Sequence, residues 1–201
     1  MSRPQRTPDE IQSVKMNIIL KTIELFQREG IESISARKIG KEVGMTAANL
    51  YNYFDNMEEI IYQVQDHCLK TFLNFMDTHY KPSNDSKENL KNIFISYTKF
   101  GIENPDMYKL LFGTNTEVFL KNKRHGMKET LVITPENVID SMKKLNADNE
   151  ELQDVLYQLY IIAHGVVDSV NSGIMKSLVN DEKAFLDEFI EKIVFLYTSN
   201  M

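Results

Sequence analysis

Between Ile34 and Phe54 the chain reads ISARKIGKEVGMTAANLYNYF. With Leu50 and Phe54 facing inward on a helical stretch, Ala47, Ala48, Asn49 and Asn52 are left on its outer side. A carboxamide can donate and accept toward adenine, and an alanine methyl can pack on the methyl of thymine. Arg37 carries a fork that matches the two acceptors of guanine, although a lone arginine on a helix is commonly just solvated. Thr46 joins a hydroxyl to the amides of a helix start, a natural place for a phosphate oxygen. The chemistry open to this set is recognition of a DNA major groove.

Two short helices and a turn must hold those groups. Ser35 can cap the first, because its hydroxyl accepts from an unpaired first-turn amide. Ala36, Ile39 and Val43 recur at spacings of three and four, which gives one apolar face. Gly44 ends that helix, where positive φ costs glycine least. Thr46 caps the second helix, and Leu50 and Phe54 turn back toward the first. This is a helix-turn-helix pattern. An earlier helix is predicted over Asp9–Glu29, with Ile11, Val14, Ile18, Leu25 and Phe26 as its buried stripe and Gly30 as its stop. Met1–Pro8, with Arg3 and Arg6, reads as a disordered terminus or as an arm toward a neighbouring groove or phosphate.

The segment Ile18–Ile61 resembles the N-terminal domain of the TetR family (TetR/AcrR-like) of bacterial transcriptional regulators. The matching pieces are Leu25-Phe26 with Gly30, IGKEVGMT at Ile39–Thr46, LYNYF at Leu50–Phe54 and MEEII at Met57–Ile61. ENPDMYKLLFG at Glu103–Gly113 and AHGVVDSV at Ala163–Val170 are more loosely similar to effector-domain segments of the same family. The resemblance implies an all-α fold of about nine helices. Residues 1–55 would form a three-helix DNA-binding domain that continues into a long helix at 56–79. Residues 56–201 would form a larger ligand-binding and dimerisation domain.

The resemblance also implies roles. Arg37 aligns with a position that reaches guanine in some family members. Tyr51 and Tyr53 match tyrosines whose hydroxyls commonly bond phosphates, and at least one is expected to do so. The DNA-contacting set is thus Ser35, Arg37, Lys38, Thr46, Ala47, Ala48, Asn49, Tyr51, Asn52 and Tyr53. The chain departs from the family pattern in three places. Lys38 stands where an acid often completes the cap begun by Ser35, and is read as a backbone contact. Met57 stands where a lysine often reaches a phosphate, so that contact is not carried over. Gly40 replaces a usual alanine, which permits close helix approach but costs about 1 kcal/mol in helix propensity.

The rest of the chain reads as helices. Asp55 with Glu58 and Asp85 with Glu88 have capping-box spacing, and KPSND at Lys81–Asp85 separates the two helices they start. Leu90, Ile93, Phe94, Tyr97 and Phe100 mark the apolar face of the second of these. Asn104-Pro105 starts a short helix that Gly113 ends, and residues 114–133 read either as a helical turn or as a loop. Further helices are predicted from Thr134-Pro135 to about Leu145, from Asp148 to about Gly173, and from Asp181 to near Tyr197.

An effector pocket is implied among these helices. His67, Tyr97, His164 and Asp168 are the polar candidates, with Phe100, Met107 and Phe112 beside them; His164 and Asp168 could equally be a plain hydrogen-bonded pair. The last two helices resemble the pair that forms a four-helix bundle between subunits. Leu152, Leu156, Leu159, Val166, Phe185, Phe189 and Ile193 are the expected homodimer interface, since apolar cover of that extent calls for a partner. A two-fold dimer suits a palindromic operator on double-stranded DNA. The resemblance implies a repressor released by an unknown small, partly apolar effector. An activator or a protein-responsive DNA binder with the same DNA-binding domain stays open, and an all-helical enzyme is the remaining alternative.

Composition agrees with this. The net charge of −6 opposes DNA binding if spread evenly. Residues 1–54, however, hold eight Lys or Arg against six acids, a net +2 that leaves −8 for the remainder. No apolar run approaches the ~20 residues that span a bilayer, and no signal sequence is read at the start, so no membrane partner is expected. A single cysteine, Cys68, excludes an intrachain disulfide and suits the cytoplasm. His67, His79, His125 and His164 lack metal-ligand spacing, and Cys68 beside His67 is no dyad because helix neighbours diverge. No catalytic residue, metal or cofactor is expected.

Overall fold

The computed structural model describes residues 6–30, 33–81, 83–112 and 149–199, and among these every regular element is a helix. They are α1 (Pro8–Glu29), α2 (Ala36–Glu42), α3 (Ala47–Leu50), α4 (Met57–His79), α5 (Ser86–Glu103), α6 (Pro105–Phe112), α7 (Asn149–Asn171), α8 (Ile174–Leu178) and α9 (Glu182–Thr198). The predicted readings at Gly113, 114–133, 134–145 and Asp148 lie outside the described residues, as do the side chains of Leu152 and Leu156. The chain divides into two compact units, residues 1–71 with 106–126 and residues 72–105 with 127–201. The first takes in α1 to α3, much of α4 and most of α6.

In the first unit α1 is closed at its start by Thr7. Its hydroxyl accepts from the Glu10 amide at 3.3 Å, and the Glu10 carboxylate accepts from the Thr7 amide at 2.8 Å. This capping box satisfies two otherwise unpaired donors. Ile18, Ile19, Ile23, Leu25 and Phe26 form the buried stripe, whereas Ile11 is exposed. Ile11 lies two turns before the first fully buried residue, in a part of α1 that projects beyond the core. The core is completed by Ile39, Leu50, Phe54, Ile60, Val64 and Cys68. At the start of α4 the expected Asp55–Glu58 box is shifted by one residue. The Glu59 amide donates to Asn56 Oδ1 at 2.8 Å, and the Glu59 carboxylate accepts from the Asp55 amide.

In the second unit α5 packs against both α7 and α9. Phe72, Met76, Phe94, Tyr97, Phe100, Leu159, Val167, Ile190 and Val194 are buried there. Phe72 meets Phe100 edge-on at 4.9 Å and Tyr97 at 5.5 Å, arrangements that suit the aromatic quadrupole. Asp85 caps α5 by accepting from the Lys87 amide, but the Asp85 amide donates to Ser83 Oγ rather than to Glu88. The buried Asn89 carboxamide holds the preceding loop, accepting from Ser83 N and Tyr80 Oη and donating to Ser83 O. A short α8 follows Gly173, where the sequence reading has only an end of helix.

Candidate nucleic-acid interface

Close approach of backbone fixes the α2–α3 turn. The Met45 amide donates to the Gly40 carbonyl at 2.7 Å. A Cβ on Gly40 would lie 2.6 Å from the Met45 carbonyl oxygen and 3.3 Å from the Thr46 carbonyl carbon. The turn therefore occupies the space that alanine would need. Gly44 takes φ 68°, a left-handed conformation that glycine adopts without strain. Ser35 and Thr46 cap as expected, accepting from Lys38 N at 3.4 Å and from Asn49 N at 3.2 Å.

The third helix is shorter than its sequence suggests. It closes at Leu50, and Tyr53 N donates to Leu50 O at 2.9 Å in a tighter turn. Tyr51, Asn52 and Tyr53 are weak helix formers, so nothing local extends it. Leu50 and Phe54 are nevertheless buried, and the Lys15 ammonium lies 5.1 Å from the Phe54 ring centroid.

With those two side chains inside, Thr46, Ala48, Asn49, Tyr51 and Asn52 are exposed, while Ala47 and Tyr53 are half-buried. Ser35, Arg37, Lys38 and Lys41 are exposed on or beside α2. Lys38 donates to the Glu29 carboxylate at 2.5 Å, and this bond holds the Glu29 pKa below the usual carboxylate value. Arg28 pairs with Glu42 at 2.7 Å, so two ion pairs join the end of α1 to α2. Met57 is half-buried.

Arg6 joins this surface; the sequence reading left it open between a disordered terminus and an arm toward DNA, and named no residue that it meets. Its guanidinium lies 5.6 Å from the Tyr53 ring centroid. A surface cavity of about 420 Å³ is lined by Arg6, Val43, Gly44, Met45, Asn49, Asn52 and Tyr53. Arg6 directly precedes the Thr7 cap, and that adjacency is the only sequence signal of a fixed position.

The remaining site residues are spread over both units. His67, Met107 and Phe112 are half-buried in the first. In the second, Tyr97 and Phe100 are buried, and Tyr97 Oη lies 3.3 Å from His164 Nε2. Burial lowers the His164 pKa to about 4 against an opposing pull from Asp168. Asp168 itself is exposed, so it does not line an interior face as expected. Among the expected interface residues Leu159 and Val166 are buried in their own unit, Phe189 and Ile193 are half-buried, and Phe185 is exposed. The apolar residues that do reach the surface on α7 and α9 include Tyr157, Ile161, Phe195 and Leu196. Among the described residues no group of three or more His, Cys, Asp or Glu could hold a metal, and no helix is long and apolar enough to cross a membrane.

Residues 18–64 match the family model described as bacterial regulatory proteins, tetR family. An HTH-type transcriptional regulator of Staphylococcus aureus strain USA300 is 28% identical over 99 residues, 47% of this chain and 51% of the relative. A second from strain MRSA252 is 36% identical over 62 residues, 31% of each chain. The chain thus spans about half the length, or less, of the curated relatives it matches. The fatty acid degradation regulator FadR from Bacillus halodurans shares the fold with a TM-score of 0.66 at 18% identity, over 97% of both chains. A variant of TetR from Acinetobacter baumannii AYE, solved in complex with minocycline, has a TM-score of 0.60 at 16% identity, over 90% of this chain and 93% of its own.

Proposed function

We propose that this chain, TetR-like in its N-terminal motif and in its fold, is a DNA-binding transcriptional regulator. The observation that carries the reading is the exposure of Ala48, Asn49 and Asn52, held by the buried Leu50 and Phe54, with Arg37 and Tyr51 exposed as well. In this reading Asn49 and Asn52 address adenine edges, Ala47 and Ala48 fit thymine methyls, and Arg37 addresses guanine. Ser35, Thr46, Tyr51 and Tyr53 take phosphates and set the register. Lys38 takes a phosphate in exchange for Glu29.

The further terms belong to the same reading. Exposed Tyr157, Ile161, Phe185, Phe195 and Leu196 pair two copies, so that two α3 segments meet a palindromic site. A small, partly apolar effector bound near Tyr97 and His164 releases the DNA, which makes the protein a repressor. One structural neighbour regulates fatty acid degradation and another was solved with minocycline, and both facts favour an effector of that character.

The test is fluorescence anisotropy with duplexes from the DNA upstream of the protein's own coding sequence, at several salt concentrations. One duplex is expected to bind best, with affinity falling steeply as salt rises. Equal binding to all duplexes at every salt concentration would overturn the reading.

A further inference from the structure

Arg6 is a cation of the first unit that stands immediately before the cap of α1. It is exposed, yet the chain holds it in place from both sides. The Thr7–Glu10 capping box pins the next residue, and the Tyr53 ring lies under the guanidinium at 5.6 Å. An arginine stacked on a ring keeps its N–H donors in its own plane, where they can fork onto an oxyanion. Its cavity also contains Asn49 and Asn52, which are aimed at base edges in the reading above, and Gly44, which adds no side chain. Asn49 and Asn52 already supply base-edge chemistry there. The group left for a guanidinium beside the Tyr53 ring is the sugar-phosphate backbone flanking those bases.

We propose that Arg6 binds a DNA phosphate next to the bases facing Asn49 and Asn52, and that Tyr53 acts as its platform. The inference rests on the DNA-binding reading. It makes Tyr53 a positioning residue through its ring as well as through its hydroxyl. Arg6 then belongs to the DNA-binding surface together with α2 and α3.

The test compares wild type, Arg6→Ala, Arg6→Lys and Tyr53→Leu, together with the Arg6→Ala/Tyr53→Leu double variant. Each full-length chain is titrated with the preferred duplex and with single-base variants of it, at several salt concentrations. Arg6→Ala is expected to weaken binding about fivefold to tenfold on every duplex alike, and to make the slope of log K against log[salt] shallower by about 0.9. Arg6→Lys should restore most of the slope but only part of the affinity. In the Tyr53→Leu background the loss caused by Arg6→Ala should shrink. Thermal unfolding followed by circular dichroism checks that each variant folds. Wild type that binds specifically, with Arg6→Ala unchanged, would overturn this inference and leave the DNA-binding reading intact. A loss confined to particular duplexes would also overturn it, by making Arg6 a base reader. Wild type that prefers no duplex would overturn both.

Discussion

The Lys38 ammonium sits 2.5 Å from the Glu29 carboxylate, and so ties the first turn of α2 to the last turn of α1. Both side chains are substantially solvent-exposed. The cation expected to meet DNA is thus held by an acid in the free protein, and DNA binding must exchange one anion for another. Glu29→Gln is expected to tighten binding to all duplexes alike, as measured by anisotropy at fixed salt. Unchanged affinity would remove Lys38 from the interface. Pairing lowers the Glu29 pKa below its ordinary value of 4.5, so the pair's small stabilising effect is present at neutral pH. It is lost as pH falls below about 4.5 through the lowered value of the folded state.

Gly40→Ala is expected to destabilise the first unit. Crowding a buried site costs about 1–3 kcal/mol, and the Met45 carbonyl oxygen is backbone that cannot swing aside. Alanine regains about 1 kcal/mol of helix propensity, which is too little to reverse the sign. A lower midpoint in guanidinium unfolding of the full chain, together with weaker DNA binding, checks this. A raised midpoint would show that the turn yields.

Asn49 and Tyr53 should separate base reading from backbone binding. Asn49→Ala is expected to cost about 1–3 kcal/mol on the preferred duplex and little on variants at the base it reads. Tyr53→Phe keeps the ring under Arg6 and removes one hydroxyl, so it should weaken every duplex by a similar, smaller factor. Competition titrations with single-base variants decide between these patterns, and the reverse assignment would refute them.

His164 gives the second unit a pH dependence. Its pKa in the folded chain, about 4, lies below the ordinary 6.5 because burial disfavours the cation. The unfolded chain therefore takes up the proton first, and stability falls as pH drops from about 6.5 toward 4. The full shift corresponds to about 3 kcal/mol, and partial exposure cuts this to roughly 1–2 kcal/mol. His164→Gln should lose less stability than wild type between pH 7 and pH 5 in guanidinium titrations. Equal losses would place the acid sensitivity elsewhere.

Ile161 and Leu159 lie two residues apart on α7 and predict opposite outcomes. Ile161 is 67% exposed, whereas Leu159 is buried. Ile161→Lys is expected to leave the chain folded and to weaken self-association on the order of tenfold or more in sedimentation velocity. Leu159→Lys would place a charge in the core and should unfold the chain instead. A dimer unaffected by Ile161→Lys would move the interface off this face.

The sequence by itself determined whatever depends on a few neighbouring residues. Apolar spacing of three and four marked the helices, and Ser35, Thr46, Asp85 and Asp181 were legible as caps because a cap bonds within three residues. Gly30 and Gly44 were legible as stops for the same reason. Ala48, Asn49 and Asn52 followed as exposed once Leu50 and Phe54 were read as inward, whereas Ala47, read as outward with them, is half-buried. Near-equal local choices were missed: Asn56 with Glu59 took the role assigned to Asp55 with Glu58, and Ser83 replaced Glu88. What only the tertiary structure decided depends on atoms distant in sequence. It brought Arg6 over Tyr53 and Lys38 onto Glu29, and set the Met45 carbonyl where a Gly40 side chain would be. It also divided the apolar residues of α7, with Leu159 and Val166 inside and Tyr157 and Ile161 outside. Periodicity shows that such a helix has apolar sides, but which side is buried depends on where the partner helices lie.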